Sequence, residues 1–293
     1  LKKHPDFEYE LITNVSEENL IKKLPDFDAC TLRVSKLDEK ILKHCKKLKA
    51  ISRHGVGIDN VDLEYIKKNE IALLVTATAN AVAVAEHVLS MFLSLSKSII
   101  SYDTEVRKGN FKSNSNKIKT FELLNKNILI AGFGRIGKKL ISRCLAFDAK
   151  VLVYDPFIDE EIIKKYGGLK VNKIEDGLKL ADYVSLHMPL TIETKDLINY
   201  SIFKMMKKNS IIVNTARGGI VNELELEKAL NEGLIFGAAL DVFSKEPVDK
   251  DNPLLKNKKV ILSPHSATFT DECTSRMGIE TTKNIIDFFE NKI

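Results

Sequence analysis

Apolar residues along this chain gather in short runs, and stretches with helical spacing lie between them. Residues 9–12 (YELI), 29–34 (ACTLRV), 48–53 (LKAISR) and 71–76 (IALLVT) read as strands. Residues 16–24 (SEENLIKKL) and 37–47 (LDEKILKHCKK) read as helices, with Ser16 and Asp38 as candidate caps. A long helical stretch follows from about 81 to 108. A second series of apolar runs then begins: 127–134 (NILIAGFG), 150–156 (KVLVYDP), 169–172 (LKVN) and 183–189 (YVSLHMP). It continues with 210–216 (SIIVNTA), 235–243 (IFGAALDVF) and 259–265 (KVILSPH). Gly167–Gly168 and Gly233 stop the helices between these runs, and an N-x-x-E cap at Asn222 opens one of them. Strand–helix alternation on this scale implies parallel sheets with helices on both faces. Two series imply two α/β domains, each a doubly wound parallel sheet. The last helix, 271–292, must pack somewhere, and the first domain is one option.

Length agrees with this division, since 293 residues suffice for two domains. Hydrophobic residues make up 44%, enough for a sizeable core, and charged residues make up 29%, as in water-soluble proteins. The net charge is +5, from 45 basic and 40 acidic residues, and the lysines are scattered. They read as solvated faces and not as a nucleic-acid footprint. Cys30, Cys45, Cys144 and Cys273 have spacings that suit neither zinc nor a disulfide framework. A reducing, cytoplasmic setting without a metal is therefore expected. Residues 81–100 form the longest apolar stretch, but Glu86, His87, Lys97 and four serines interrupt it. A membrane span would tolerate that poorly, so it reads as a buried or interface helix, with Glu86 and His87 structural.

The turn at GFGRIG carries Gly132, Gly134 and Gly137 in a G-x-G-x-x-G spacing. Alone this pattern is weak. Here an apolar strand precedes it, an amphipathic helix follows, and the next strand ends in Asp155, 18 residues after Gly137. That layout is what a dinucleotide requires. Gly132 would make the tight turn, Gly134 would admit a pyrophosphate, and Gly137 would let helix and strand pack closely. The helix N-terminus offers unpaired N–H groups to phosphates. Asp155 would accept hydrogen bonds from ribose hydroxyls and repel a 2′-phosphate, which favours NAD over NADP.

Three further strand ends carry reactive groups: Arg217, Asp241 with Glu246, and His265. A lone histidine decides nothing. In a doubly wound sheet, however, ligands sit outside the carboxyl ends of the strands, which places all of these groups on the cofactor's rim.

In GFGRIG, NTARGGIVNE, ALDVFSKEP and SPHSA the chain resembles the D-isomer-specific 2-hydroxyacid dehydrogenases. SRHGVGIDNVD, ANAVAVAEH and the C-terminal SRMGIETTKNIIDFF extend the likeness over nearly the whole chain. The overall pattern is nearest that of the phosphoglycerate dehydrogenases. The resemblance implies a Rossmann NAD-binding domain over 79–268. It also implies a flavodoxin-like, discontinuous substrate domain made of 1–78 and 269–293. Arg217 would hold the substrate carboxylate, and His265 would exchange a proton with the substrate as the acid/base. Glu246 would fix the imidazole's tautomer and favour its protonated form. Arg33, Arg53, Val56 and Gly57 would meet the substrate. Besides the three glycines and Asp155, the cofactor positions would be Thr76, Arg135, Ile136, Pro189, Thr194, Thr215 and Asp241. A small 2-hydroxy or 2-oxo acid as substrate, NAD as cofactor and a homodimer are implied as well.

The chain also departs from the family. The resemblance puts a strand ahead of Leu1, inside the first sheet between 9–12 and 29–34. The natural protein is therefore expected to be longer by roughly 15–25 residues. The phosphoglycerate pattern also expects a third arginine near 112–119, where Lys112, Lys117 and Lys119 stand instead. His54 adds a polar group beside the carboxylate loop. These departures keep hydroxypyruvate and glyoxylate open beside 3-phosphoglycerate. Formate dehydrogenases carry Gln where Glu246 stands. NAD-sensing corepressors of the same superfamily keep the site residues, but nothing in the sequence suggests peptide capture.

Overall fold

The computed structural model describes residues 4–111 and 118–292. In chain order the first elements are α1 (Glu17–Lys23), β1 (Ala29–Leu32), α2 (Glu39–Leu42), β2 (Ala50–Arg53), α3 (Leu63–Lys68) and β3 (Ala72–Val75). Next come α4 (Ala81–Ser96), α5 (Ile99–Arg107), β4 (Asn127–Ala131), α6 (Arg135–Leu145), β5 (Lys150–Tyr154), α7 (Glu160–Lys165) and β6 (Leu169–Lys170). They are followed by α8 (Ile174–Leu180), β7 (Tyr183–Leu186), α9 (Tyr200–Met205), β8 (Ile211–Asn214) and α10 (Glu223–Asn231). β9 (Gly237–Leu240), β10 (Val260–Leu262) and α11 (Asp271–Phe289) close the chain. It divides into two units, Leu1–Asn80 with Thr270–Ile293, and Ala81–Phe269. The boundaries lie two residues and one residue beyond those expected from the sequence.

In the first unit β1, β2 and β3 form a parallel sheet in that order. Leu20, Leu32, Ile41, Leu42, Ile51 and Ile66 build its core. Strand alternation turns Ser52, next to Ile51, to the opposite face, where its hydroxyl donates to the Thr281 carbonyl of α11 at 2.9 Å. Asn284 donates to the Val75 carbonyl at 3.2 Å, and Arg276 to the Ala79 carbonyl at 3.1 Å. The last helix thus returns to the first sheet. Ser16 caps α1 through Asn19 N–H, as its position suggests. Asp38 stands at the N-cap of α2 but makes no capping bond, and that helix has only 4 residues.

Residues 9–12, expected as a strand, are not one. Tyr9 and Leu11 are exposed, and among the described residues no strand pairs with this segment. A cavity of about 1010 Å³ lies between this segment and β1, lined by Leu11 and Ile12, by Cys30 and Leu32, and by Ile285 and Phe289. The outer edge of β1 has no strand partner among the described residues.

The second unit holds a seven-stranded, all-parallel sheet in the order β10-β9-β8-β7-β4-β5-β6. Strands β4, β7, β8 and β9 are apolar on both faces, as a sheet covered by helices on each side demands. Leu129 and Ala131 face one core, and Ile128 and Ile130 face the other. The chain runs outward from β4 to β6, then returns to β7 and runs outward the other way. The crevice between β4 and β7 is therefore the topological switch point, where ligands of such sheets bind.

The long helix expected from 81 to 108 is two helices. Ser98 adopts a left-handed backbone (φ +51°), and α4 and α5 diverge by 57°. The segment after α5 stabilises the break: Phe121 N–H bonds to the Ser96 carbonyl, and the Ser98 hydroxyl bonds to the Lys119 carbonyl. Among the described residues, no single helix is long and apolar enough to cross a membrane.

Candidate active site

Parallel strands place all their carboxyl ends on one rim. At the end of β4, Gly132 has a φ of +102°, and a Cβ there would stand 2.7 Å from the His187 carbonyl. Only glycine fits. Gly134 caps α6 without a side-chain bond, so the first N–H groups of the helix keep their capacity. A Cβ on Gly134 would meet nothing within 4 Å, so the turn is open to an approaching group. Arg135 and Ile136 open the helix, Arg135 exposed and Ile136 half-buried. Asp155 follows β5. Its carboxylate accepts from Phe133 N–H at 2.8 Å and from Phe157 N–H at 2.9 Å. Those two bonds aim it at the turn and leave further lone pairs for a hydroxyl.

β7 leads into His187, whose Nε2 lies 2.8 Å from the Ser185 hydroxyl and whose Nδ1 is buried without a hydrogen-bond partner. Burial pushes this imidazole down to about 4, so it is neutral at neutral pH. Pro189 is exposed, and its carbonyl accepts from the Thr194 hydroxyl at 2.7 Å, which shapes that loop. β8 ends in Asn214. Its side chain accepts from Ala216 N–H at 3.0 Å and donates to the Arg217 carbonyl at 2.8 Å. Asn214 thus folds the turn that presents Arg217, and sequence reasoning missed it. The signal was available: a polar residue closing an apolar strand has to find partners. The Arg217 guanidinium donates to the Ala216 carbonyl at 2.6 Å. A Cβ on Gly218 would overlap the Phe243 backbone, so glycine is required beside the arginine. The Thr215 hydroxyl oxygen is buried with no partner.

Glu246 and His265 come together. Glu246 Oε1 accepts from Phe243 N–H at 3.0 Å, and Oε2 lies 2.8 Å from His265 Nδ1. A carboxylate only accepts, so His265 carries its proton on Nδ1, and Nε2 is the ring atom left for another partner. The His265 side chain is 52% exposed, accessible to a small molecule. Asp241 is fully buried, and its carboxylate accepts from Ser266 N–H at 2.8 Å, Ala267 N–H at 3.0 Å and the Ser263 hydroxyl.

The remaining candidates belong to the first unit. The buried Thr76 hydroxyl accepts from Gly55 N–H at 2.8 Å and holds the loop that carries Val56 and Gly57. The Arg53 guanidinium donates to Asn60 at 2.9 Å and to the carbonyls of Leu32, Arg33 and His54. Arg33 is exposed just past β1. Burial, then Arg33, and more weakly Arg53, hold His54 below the usual histidine range. Lys112 and Lys117 lie outside the described residues. Lys119 donates to Asn209 at 2.7 Å. Cys30 and Cys144 thiols are pushed up to about 12 by burial, so neither is a thiolate at neutral pH. Among the described residues, no group of His, Cys, Asp and Glu could hold a metal.

Known proteins resemble this chain over nearly its whole length. Residues 89–267 match the NAD-binding domain of the D-isomer specific 2-hydroxyacid dehydrogenases. The D-3-phosphoglycerate dehydrogenase of Methanocaldococcus jannaschii is 36% identical over 279 residues, covering 95% of this chain and 53% of that protein. The chain thus spans about half the length of this relative. The glyoxylate reductase of Thermococcus litoralis is 36% identical over 94% of this chain and 84% of its own length. The D-lactate dehydrogenase of Aquifex aeolicus, solved with NAD and lactic acid, superposes with a TM-score of 0.83 at 32% identity. That match covers 96% of this chain and 87% of the solved one. The chain belongs to the D-isomer specific 2-hydroxyacid dehydrogenase family.

Proposed function

We propose that the chain is an NAD-dependent oxidoreductase that interconverts a small D-2-hydroxy acid and its 2-oxo acid. The observation that carries this reading is the 2.8 Å pair of Glu246 and His265 on the rim of a dinucleotide-binding sheet. The rim suits NAD. The α6 N-terminus and Gly134 would receive the pyrophosphate, and Asp155 the adenosine ribose. Thr215 has a buried hydroxyl that can donate to or accept from a bound group. When bound, NAD supplies the hydride acceptor, and NADH the donor.

The chain supplies the rest. Arg217 grips the substrate carboxylate, since a planar guanidinium meets two oxygens at once. Its bond to the Ala216 carbonyl fixes one edge of the fork. His265 donates its Nε2 proton to the carbonyl oxygen of the 2-oxo acid as C2 is reduced, and takes it back in the oxidation. Glu246 keeps Nδ1 protonated throughout and stabilises the imidazolium. Replacing Glu246 with Gln removes that negative charge. The variant is expected to lose about tenfold or more in kcat, because the imidazole is no longer held by a carboxylate. A variant with wild-type kcat would show that Glu246 does not serve His265.

The positive potential of Arg33 and Arg53 at His54 supports a substrate with a second anionic group, such as 3-phosphoglycerate. A second reading, hydroxypyruvate or glyoxylate, is favoured by the commitment of Arg53 to three carbonyls and Asn60. A panel of 2-oxo acids followed at 340 nm separates them. The phosphorylated acid is expected to have the highest kcat/KM. NADPH is expected to give rates at least roughly tenfold below NADH, because Asp155 would face the 2′-phosphate. Comparable rates with the two cofactors would sink the role of Asp155.

A homodimer paired through α4 and α5 belongs to the same proposal. Its support is α5, which has no buried residue and exposes Ile99, Ile100 and Val106. A monomer mass by light scattering at micromolar concentration would rule it out.

A further inference from the structure

His265 has a left-handed backbone, with φ at +50°. A residue with a Cβ stays in that region only where its surroundings hold it there. Asp241 does the holding. Its carbonyl accepts from His265 N–H at 2.8 Å, and its carboxylate takes the N–H groups of the next two residues. On the near side of the turn the Ser263 hydroxyl reaches the same carboxylate.

Ser263 has a second neighbour. His87, on α4, places Nε2 at 3.1 Å from the Ser263 oxygen and at 3.6 Å from Asp241 Oδ1. A hydroxyl has one proton, and the Asp241 carboxylate can only accept it. Ser263 therefore donates to Asp241, and His87 must donate from Nε2 to Ser263. The relay has a single direction: His87 Nε2–H to the Ser263 oxygen, then Ser263 O–H to Asp241. Each bond polarises the next. The fully buried Asp241 carboxylate also gains a ring N–H directed toward it.

We infer that His87 is a positioning residue for the reaction, acting through Ser263 and Asp241 to hold the turn that presents His265. The kinetic arm of the test rests on the function proposed above; the spectroscopic arm does not.

The test uses the full chain with His87→Leu and His87→Gln. Glutamine keeps an N–H donor at similar reach, and leucine keeps only bulk. His87→Leu is expected to lower kcat about tenfold, within the range that small misplacements of a catalytic group produce. KM for NADH should stay within about twofold, and His87→Gln should recover most of kcat. In ¹⁵N-histidine NMR spectra, the His265 ring signals, identified by their loss in His265→Ala, should shift in the leucine variant and return in the glutamine variant. If His87→Leu does not fold, Ser263→Ala breaks the same relay without altering α4 and should give the same pair of changes. Unchanged kcat together with unshifted His265 signals would overturn the inference. So would a folded glutamine variant as impaired as the leucine variant. A wild type that reduces no 2-oxo acid would overturn the proposed function, and the His265 signals would still decide the role of His87.

Discussion

His265→Ala is expected to lower kcat for 2-oxo acid reduction by ~10²–10⁴-fold, the range for loss of a general acid/base. The structure explains why no neighbour takes over. The Nδ1 contact to Glu246 leaves Nε2 as the one ring atom able to exchange a proton with substrate. Glu246 already has one oxygen on the Phe243 N–H. KM for NADH should stay within about threefold, because the residues proposed to hold the dinucleotide, the Gly132–Gly137 turn and Asp155, are untouched. Initial rates over a range of NADH concentrations, at saturating 2-oxo acid, separate the two parameters. A variant that kept most of its kcat would remove His265 from the chemistry.

Asp241→Ala should do comparable damage by another route. The side chain is fully buried and serves two backbone N–H groups and a serine hydroxyl. Removing it leaves three donors to find water or go unpaired, at about 1–3 kcal/mol for each one left buried. At roughly 2–4 °C per kcal/mol, each donor left buried lowers the melting temperature by roughly 2–12 °C. Activity should fall further than stability alone explains, because the 263–267 turn loses its anchor and His265 loses its geometry. Thermal melts and kcat measured below the transition test both parts. A variant with wild-type melting and wild-type kcat would show that Asp241 holds nothing.

Much of this was readable from residue patterns because the interactions involved are local. Apolar runs with helical stretches between them mark β1 to β10, and the burial of β4, β7, β8 and β9 on both faces leaves no competing assignment there. The G-x-G-x-x-G turn declares itself because only glycine fits against the His187 backbone. The misses have a common cause, since each depends on a partner distant in sequence. Ser98 breaks the long helix where residues 119–121 bond to the end of α4, and helical periodicity carries no trace of that. Residues 9–12 have strand composition, yet a strand needs a neighbouring edge, and across from this segment lies a cavity. His87 and Ser263 are 176 residues apart, and no spacing rule connects them.

The proposed rim of Arg217, Glu246 and His265 would reduce 2-oxo acids from one face only. The most direct measurement uses the purified protein with NADH and hydroxypyruvate, or its phosphorylated form, followed by chiral chromatography of the glycerate (or phosphoglycerate) formed. The account predicts NADH consumption with the D-isomer as the product. The L-isomer, a racemic mixture, or no turnover of any 2-oxo acid by a folded, NADH-binding protein would contradict it.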